Sequence, residues 1–171
     1  MNSSRVLYSP VCNDECYTPD YAVRAIVPFL PRHWVYWCPF DFLDSAFVRV
    51  LEEEGLKVVA SHIFYGEDFY TYEPEKWDCI LSNPPFSNKR RIFERALSFN
   101  KPFALLMSLT WLNDAAPKQL FKDRRLELLM FEERIKYLGQ GRKITFSSAY
   151  YCSGLLLQQI TMRSLKPYGY K

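Results

Sequence analysis

Short, uninterrupted apolar runs alternate with amphipathic helical patterns along this chain, and this alternation limits the possible folds more than any other feature. Strands that helices cover on both faces lose the polar–apolar alternation of half-exposed strands. Runs of this kind, separated by helix-length intervals, are typical of an α/β fold with a mostly parallel, doubly wound sheet. Four of them lie in the first two thirds of the sequence: 34–38, 57–62, 77–82 and 102–109.

Helical spacing of apolar residues fills the intervals. The first pattern opens at Thr18-Pro19, where we expect the hydroxyl to cap a helix and the proline to occupy its first turn, and Pro31 ends it. Further helices are expected at 47–55, 89–99 and 118–121.

The last third of the chain predicts a different connection. Strand-type runs at 127–131 and 149–156 are joined by a loop that contains Gly139-Gln140-Gly141 and no helical pattern. We therefore expect these two strands to form a hairpin-like antiparallel pair at the edge of the sheet, with 149–156 as the last strand.

Composition fits one folded domain. The chain has 171 residues, of which 49% are hydrophobic and 24% charged, and this balance excludes an intrinsically disordered chain. We expect a single domain over residues 1–171, with 1–16 as a flexible N-terminal segment. No apolar run reaches the roughly 20 residues of a membrane span, and residues 1–5 lead into no signal peptide. A soluble cytoplasmic protein without membrane contact is therefore expected.

The cysteines do not predict a metal centre. Cys12 and Cys16 are closely spaced, but the other three cysteines lack paired spacing and the chain has only two histidines. An odd number of cysteines in an intracellular chain indicates reduced thiols, and we expect no bound metal ion.

The segment Asn83-Pro84-Pro85-Phe86 carries the clearest chemistry. It directly follows an apolar strand, and ligands of open α/β sheets bind at the carboxyl ends of strands. The two prolines remove backbone donors and leave carbonyl acceptors in the turn. The side-chain oxygen of Asn83 and the carbonyl of Pro84 would together accept both protons of an exocyclic amine, while Phe86 offers a face for a planar ring.

This tetrapeptide resembles the (Asp/Asn/Ser)-Pro-Pro-(Tyr/Phe) motif of S-adenosylmethionine-dependent amino-methyltransferases, in which it follows the fourth strand. The resemblance implies a Rossmann-like class I methyltransferase domain whose catalytic residues are Asn83, Pro84, Pro85 and Phe86. The family methylates adenine N6 or cytosine N4 in DNA and base amines in RNA, and one branch acts on a glutamine amide.

Other segments match the family's cofactor motifs in part. Tyr17-Thr18-Pro19 resembles the first-helix motif that holds the methionine end of the cofactor. The loop after the first strand departs from the family because it lacks its glycines, and the second strand ends without the expected acid. The resemblance implies these cofactor-binding residues: Tyr17, Thr18, Pro19, Cys38, Pro39, Asp41, Ser45, Ser61, His62, Asp68, Phe69 and Asn83.

Substrate contacts are expected on the other side of the tetrapeptide. Lys89, Arg90 and Arg91 follow it and would contact nucleic-acid phosphates. The basic loops 122–125 and 141–143 are expected on the same side. By resemblance to the family's late motif, Phe146 would pack on a flipped base opposite Phe86, whereas core packing is the alternative for Tyr150 and Tyr151.

These observations predict an adenine-N6 methyltransferase with nucleic acid as its partner, DNA before RNA, similar to small bacterial or phage-encoded enzymes without a target-recognition domain. Three alternatives remain: an RNA base-amine methyltransferase, a glutamine-amide methyltransferase, and an inactive nucleic-acid-binding relative that has lost the cofactor. A dinucleotide enzyme is least favoured because no G-x-G-x-x-G follows the first strand.

Overall fold

The computed structural model describes residues 17–138 and 145–171. Within these ranges the chain forms one seven-stranded sheet with α-helices between its strands. The strands are β1 (Val35–Cys38), β2 (Lys57–Ala60), β3 (Cys79–Ser82), β4 (Phe103–Ser108), β5 (Glu127–Phe131), β6 (Ser148–Ser153) and β7 (Ile160–Arg163). The helices are α1 (Asp20–Arg24), α2 (Ala46–Glu53), α3 (Lys89–Ser98) and α4 (Ala115–Leu120).

The sheet has the order β2-β1-β3-β4-β6-β5-β7. The first four of these strands are parallel to one another, whereas β6 runs antiparallel to both β4 and β5. The predicted α/β class, the mostly parallel sheet and the antiparallel C-terminal pair are thus confirmed.

The prediction that 149–156 is the last strand is wrong. β7 follows it and pairs in parallel with β5, so that it forms the edge of the sheet. Its sequence, Ile160-Thr161-Met162-Arg163, contains no continuous apolar run, and only Thr161 is buried. The strand depends on its pairing with β5, a contact that local sequence does not reveal.

The first helix is shorter than its apolar pattern suggests. α1 covers five residues and is followed by a separate 3-10 turn at Val27–Phe29. Pro19 occupies the N-cap position without a side-chain hydrogen bond. The expectation that the Thr18 hydroxyl caps this helix is therefore wrong.

Helix α2 is defined by local sequence at both ends. The Ser45 hydroxyl accepts a hydrogen bond from the backbone nitrogen of Val48, which satisfies a donor of the first turn. Gly55 has φ +72°, a left-handed conformation that ends a helix and suits glycine. Phe47 and Leu51 lie on the buried face of the helix.

Two apolar layers cover the two faces of the sheet. One contains Phe47 of α2 and Tyr150 of β6, and the other contains Phe93 of α3 and Tyr151 of the same strand. Both tyrosines are fully buried, and their hydroxyls donate to the carbonyl oxygens of Ala22 and Ser108. Tyr150 and Tyr151 are therefore core residues.

The strand directions separate two of the basic clusters that were expected on one side. Glu127, at the start of β5, lies opposite Cys152, which in turn lies opposite Ala104 near the start of β4. Residues 122–125 consequently lie at the amino-terminal edge of the parallel strands, away from the tetrapeptide, and the expectation for them is wrong. Residues 141–143 fall outside the described residues.

Residues 1–16, including Cys12 and Cys16, also fall outside the described residues. In the two described ranges, no helix combines the length and apolar character needed to cross a membrane.

Candidate functional site

A cavity of about 640 Å³ opens at the carboxyl ends of β1, β2 and β3. β1 lies between β2 and β3, so the chain changes direction across the sheet at this point. Such a switch point leaves a crevice in which ligands of open α/β sheets bind. Most of the predicted cofactor residues line the cavity: Tyr17, Thr18, Pro39, Asp41, Ser45, His62, Asp68, Phe69 and Asn83.

Three of the predicted cofactor residues do not line it. Cys38 is fully buried in the core. Ser61 is also fully buried, and its hydroxyl accepts a hydrogen bond of 2.9 Å from the indole nitrogen of Trp37. Pro19 caps α1 behind the cavity lining. The structure therefore places these three residues outside the cavity lining.

The tetrapeptide is held from both sides. The Ser82 hydroxyl, at the end of β3, donates to the carboxyl of Asp41, which follows β1. The next residue, Asn83, donates from Nδ2 to the Thr18 hydroxyl over 3.0 Å. The residue expected to act on an amine thus lies where three separate segments of the chain meet.

Asp41 is a buried carboxyl at the base of the cavity, with 8% of its surface exposed. Burial raises the pKa of Asp41 to about 6, and hydrogen bonds from Ser82 and Ser45 lower it in part. The group is ionised at neutral pH, although its surroundings penalise the charge. A cationic ligand would relieve that penalty.

His62 takes the place of the acid expected at the end of β2. Its Nδ1 accepts a hydrogen bond from the backbone nitrogen of Phe64 at 3.1 Å, which places the proton of the neutral ring on Nε2. Burial lowers the pKa of His62, which favours the neutral form of the ring. Phe42 stacks on it with 3.9 Å between ring centroids. An aromatic donor replaces a carboxylate acceptor at this position.

The loop before β3 forms the far wall. Asp68 accepts a hydrogen bond of 3.0 Å from the backbone nitrogen of Tyr70, and Phe69 is buried beside it. The guanidinium of Arg91 lies 4.0 Å from the Tyr70 ring centroid and also lines the cavity. Arg91 therefore contributes to the predicted cofactor side, although sequence reasoning expected it at the nucleic acid.

The other two cations of that cluster differ from Arg91. Arg90 is engaged on the surface, where it contacts Glu94 at 2.8 Å and Gln119 at 2.8 Å. Lys89 is half-buried at the start of α3. Neither lines the cavity.

The side of the tetrapeptide on which the substrate base is expected, the acceptor side, is closed. Phe86 and Phe146 meet edge to face, with centroids 5.4 Å apart and planes at 85°. A planar base stacked between two parallel rings needs about 7 Å, which is twice the separation of stacked atoms. Pro84 is buried, Pro85 lines the cavity, and Asn83 Oδ1 is buried. A base reaches this oxygen only after neighbouring atoms have moved.

Sequence reasoning missed several residues of the lining. Phe42 and Ile63 lie in the loops that follow β1 and β2 and could have been found by position alone. Leu138 could not, because it reaches the cavity by pairing with Tyr17, which lies far away in the sequence. The Arg49–Asp20 ion pair, between α2 and α1, also lines the cavity and joins two elements that are distant in sequence.

The chemistry of the lining fits S-adenosylmethionine. The volume of the cavity lies within the range of small-molecule and cofactor sites. The lining contains both apolar side chains and carboxylates. Apolar side chains suit a planar base, and carboxylates suit a ligand with two cationic groups. The charged members of the lining in the described part of the chain are the carboxylates Asp20, Asp41, Asp44 and Asp68 and the guanidiniums Arg49 and Arg91.

Solved structures share this architecture. The chain is similar to a modification subunit of a putative type I restriction enzyme from Vibrio vulnificus YJ016, with a TM-score of 0.52 and 12% identity. That match covers 86% of this chain and 46% of the subunit, so the chain spans less than half of the subunit's length. A predicted O-methyltransferase from Agrobacterium tumefaciens matches with a TM-score of 0.46 and 12% identity over 85% of each chain.

No protein-family model and no curated protein matches this sequence. The likeness to the modification subunit shows the fold alone, and it confirms the predicted Rossmann-like α/β architecture.

Proposed function

We propose that this protein transfers a methyl group from S-adenosylmethionine to the exocyclic amine of a nucleic-acid base, with adenine N6 in DNA as the first candidate. The observation that carries the proposal is the position of Asn83. It is the first residue of the Asn-Pro-Pro-Phe tetrapeptide, it follows β3, and it borders the cavity at the switch point of the sheet.

The cofactor would lie in the cavity, with its base near Ile63 and Phe69 and its methionine end near Thr18. When bound, S-adenosylmethionine supplies an electrophilic methyl group on a sulfonium. Asp41 would stabilise positive charge on the ligand from below. Asp68 would accept from the adenine amine, and His62 would donate from Nε2 to a ribose oxygen.

Asn83 and Pro84 would act on the acceptor amine. Their side-chain and backbone carbonyl oxygens accept its two protons and leave the nitrogen lone pair directed at the methyl group. The carbon–sulfur bond would break as the carbon–nitrogen bond forms, so that the cofactor leaves as a thioether, and the methylated nitrogen would release its extra proton to solvent. No strong base is needed, because alignment and fixed dipoles supply most of the rate.

Phe86 and Phe146 would hold the base once they separate. An adenine in a duplex must also leave its stack, and both steps cost free energy before chemistry begins. Single-stranded or already unpaired DNA avoids the unpairing cost. We therefore expect unpaired adenine to be the better substrate.

Labelled methyl transfer tests the proposal. Single-stranded DNA, duplex DNA, tRNA, rRNA and a glutamine-containing peptide would each be incubated with the protein and labelled cofactor, followed by nucleoside analysis. We expect label in N6-methyldeoxyadenosine, and an Asn83→Ala variant should lose at least about 1000-fold in kcat, since it removes an acceptor that acts in the transition state. If label appeared only in RNA or only in peptide, DNA would be ruled out and that molecule would be the substrate. Full activity of the variant would refute the role of Asn83.

One observation favours a second candidate, a nucleic-acid-binding relative without activity. The loop 39–45 contains no glycine, and Phe42 lines the cavity where the family has a glycine-rich turn. A side chain there limits how closely the backbone approaches a ligand. Calorimetry with S-adenosylmethionine separates the two candidates, because only the active one binds it.

A further inference from the structure

Thr18 is fixed on both sides by backbone hydrogen bonds. The carbonyl of Tyr17 accepts from the nitrogen of Leu138 at 2.9 Å, and the carbonyl of Pro19 accepts from the nitrogen of Ala22 at 3.0 Å. The Pro19 ring restricts its own backbone and biases the residue before it toward an extended conformation. The Thr18 hydroxyl is consequently presented from a rigid segment, and only 9% of the residue is exposed.

That hydroxyl contacts the residue on which the proposed chemistry depends. Asn83 Nδ2 donates to Thr18 Oγ1 over 3.0 Å, between positions 65 residues apart in the sequence. The preceding residue, Ser82, is bound to Asp41. The residue before the tetrapeptide and the side chain of its first residue are thus bound to different segments of the cavity wall.

We infer that Thr18 is a positioning residue for the Asn83 amide and that its hydroxyl orients the oxygen that accepts the amine proton. The inference rests on the proposed function and adds to it a residue that does not touch the reacting atoms. An asparagine side chain turns about two bonds, and an anchor on its nitrogen fixes the plane of the amide. The oxygen then meets the amine from one direction.

The size of the effect follows from the geometry of such reactions. A displacement of about 1 Å in a group that aligns the reactants costs roughly 100-fold in rate. We expect Thr18→Val to lower kcat by about 10- to 100-fold. The cofactor Kd should change less than about 3-fold, because valine keeps the methyl group and the hydroxyl that it loses is bound to Asn83.

Thr18→Ser separates the hydroxyl from the packing of the side chain. Serine keeps the hydroxyl and loses the methyl group, whereas valine does the reverse. If the hydrogen bond positions Asn83, serine restores kcat to within about 3-fold of the original, well inside the loss expected for valine. If packing alone matters, valine is active and serine is impaired, and the inference is overturned.

Two further measurements complete the test. Thr161→Val removes a buried hydroxyl from β7, at the far edge of the sheet, and should leave kcat unchanged. The side-chain amide protons of Asn83, followed by NMR, should exchange slowly with solvent in the original protein and in Thr18→Ser, and faster in Thr18→Val.

The amide measurement separates this inference from the proposed function. If the protein transfers no methyl group but the exchange pattern holds, the proposed function fails and the positioning of Asn83 by Thr18 stands. If methyl transfer occurs and Thr18→Val changes neither kcat nor the exchange of the amide, the inference fails and the proposed function stands. A Thr18→Val variant that loses only cofactor affinity would also refute the inference.

Discussion

The two sides of Asn83 differ in how ready they are for a ligand. On the cofactor side, a cavity of about 640 Å³ lies open between strand ends, and Asp41 and Asp68 are already fixed by hydrogen bonds. On the acceptor side, Phe86 packs against Phe146 and Asn83 Oδ1 is buried. If the proposed function holds, the cofactor would enter a site formed in advance, whereas the base would have to displace neighbouring side chains first.

The largest expected effect is on the free energy of unfolding, because the buried Asp41 carboxyl of the cavity destabilises the folded protein when it is ionised. The pKa of Asp41 rises from 3.8 to about 6, a difference of about two pKa units or about 3 kcal/mol. Because the folded-state pKa is raised, the folded protein loses stability as the pH rises from about 4 to about 6. Asp41→Asn should therefore stabilise the unliganded protein at pH 7, by about 2 kcal/mol since the amide pairs less well with Ser82 and Ser45.

Urea unfolding at several pH values measures this effect. The gain from Asp41→Asn should be present at pH 7 and disappear by about pH 3, which lies below the pKa of the carboxyl in both the folded and the unfolded state. A variant that is less stable at pH 7 would show that the surrounding groups already compensate the charge of Asp41 in the empty cavity. The Asp41 charge would then not destabilise the folded protein.

The next effect concerns the acceptor side. Phe146→Ala removes one ring of the closed pair and should lower kcat/KM for nucleic acid by about 10- to 100-fold, because stacking on an aromatic side chain contributes about 1–3 kcal/mol per base. The cofactor Kd should not change. Phe146→Tyr keeps the ring and is the matched control. Equal losses in cofactor and nucleic-acid binding would show that the two sides are not separate.

A smaller effect is expected at the adenine end of the cavity. Asp68→Asn keeps an acceptor for the backbone of Tyr70 but loses the charge, and it should raise the cofactor Kd by about 10-fold, the cost of weakening one charge-assisted hydrogen bond. At saturating cofactor, kcat should be unchanged. A fall in kcat with unchanged Kd would place Asp68 on the acceptor side.

The smallest effect separates two neighbouring arginines. Arg91→Ala removes the contact with Tyr70 in the cavity and should raise the cofactor Kd by about 3-fold, as expected for a cation–π contact of about 0.5–1 kcal/mol. Arg90→Ala should not affect it. Arg91→Ala should change neither the affinity for nucleic acid nor the salt dependence of that binding. A weaker salt dependence would show that Arg91 contacts phosphates instead.

The parts of the molecule that sequence predicted are those fixed by local chemistry. Apolar strands such as 77–82 and the turn at Asn83-Pro84-Pro85 are determined by sequence within a few residues. Most of the predicted cofactor residues that line the cavity follow from their position after strand ends.

The parts that sequence missed depend on distant partners. β7 forms against β5, and the direction of β5, which places residues 122–125 at the opposite edge, depends on the insertion of β6 beside β4. Ser61 binds Trp37, and the Thr18 hydroxyl binds Asn83 where a helix cap was expected. Hydrogen-bonding side chains have several possible partners, and only the folded arrangement selects among them.

The proposed function requires that a cavity without glycines in its first loop binds S-adenosylmethionine. Isothermal titration of the protein with S-adenosylmethionine, in parallel with Asn83→Ala, measures this directly. We predict saturable one-to-one binding to both, with Kd values within about 3-fold of each other, because Asn83 acts mainly on the acceptor amine. Absence of binding to the unaltered protein would contradict the account and leave the inactive relative as the better description.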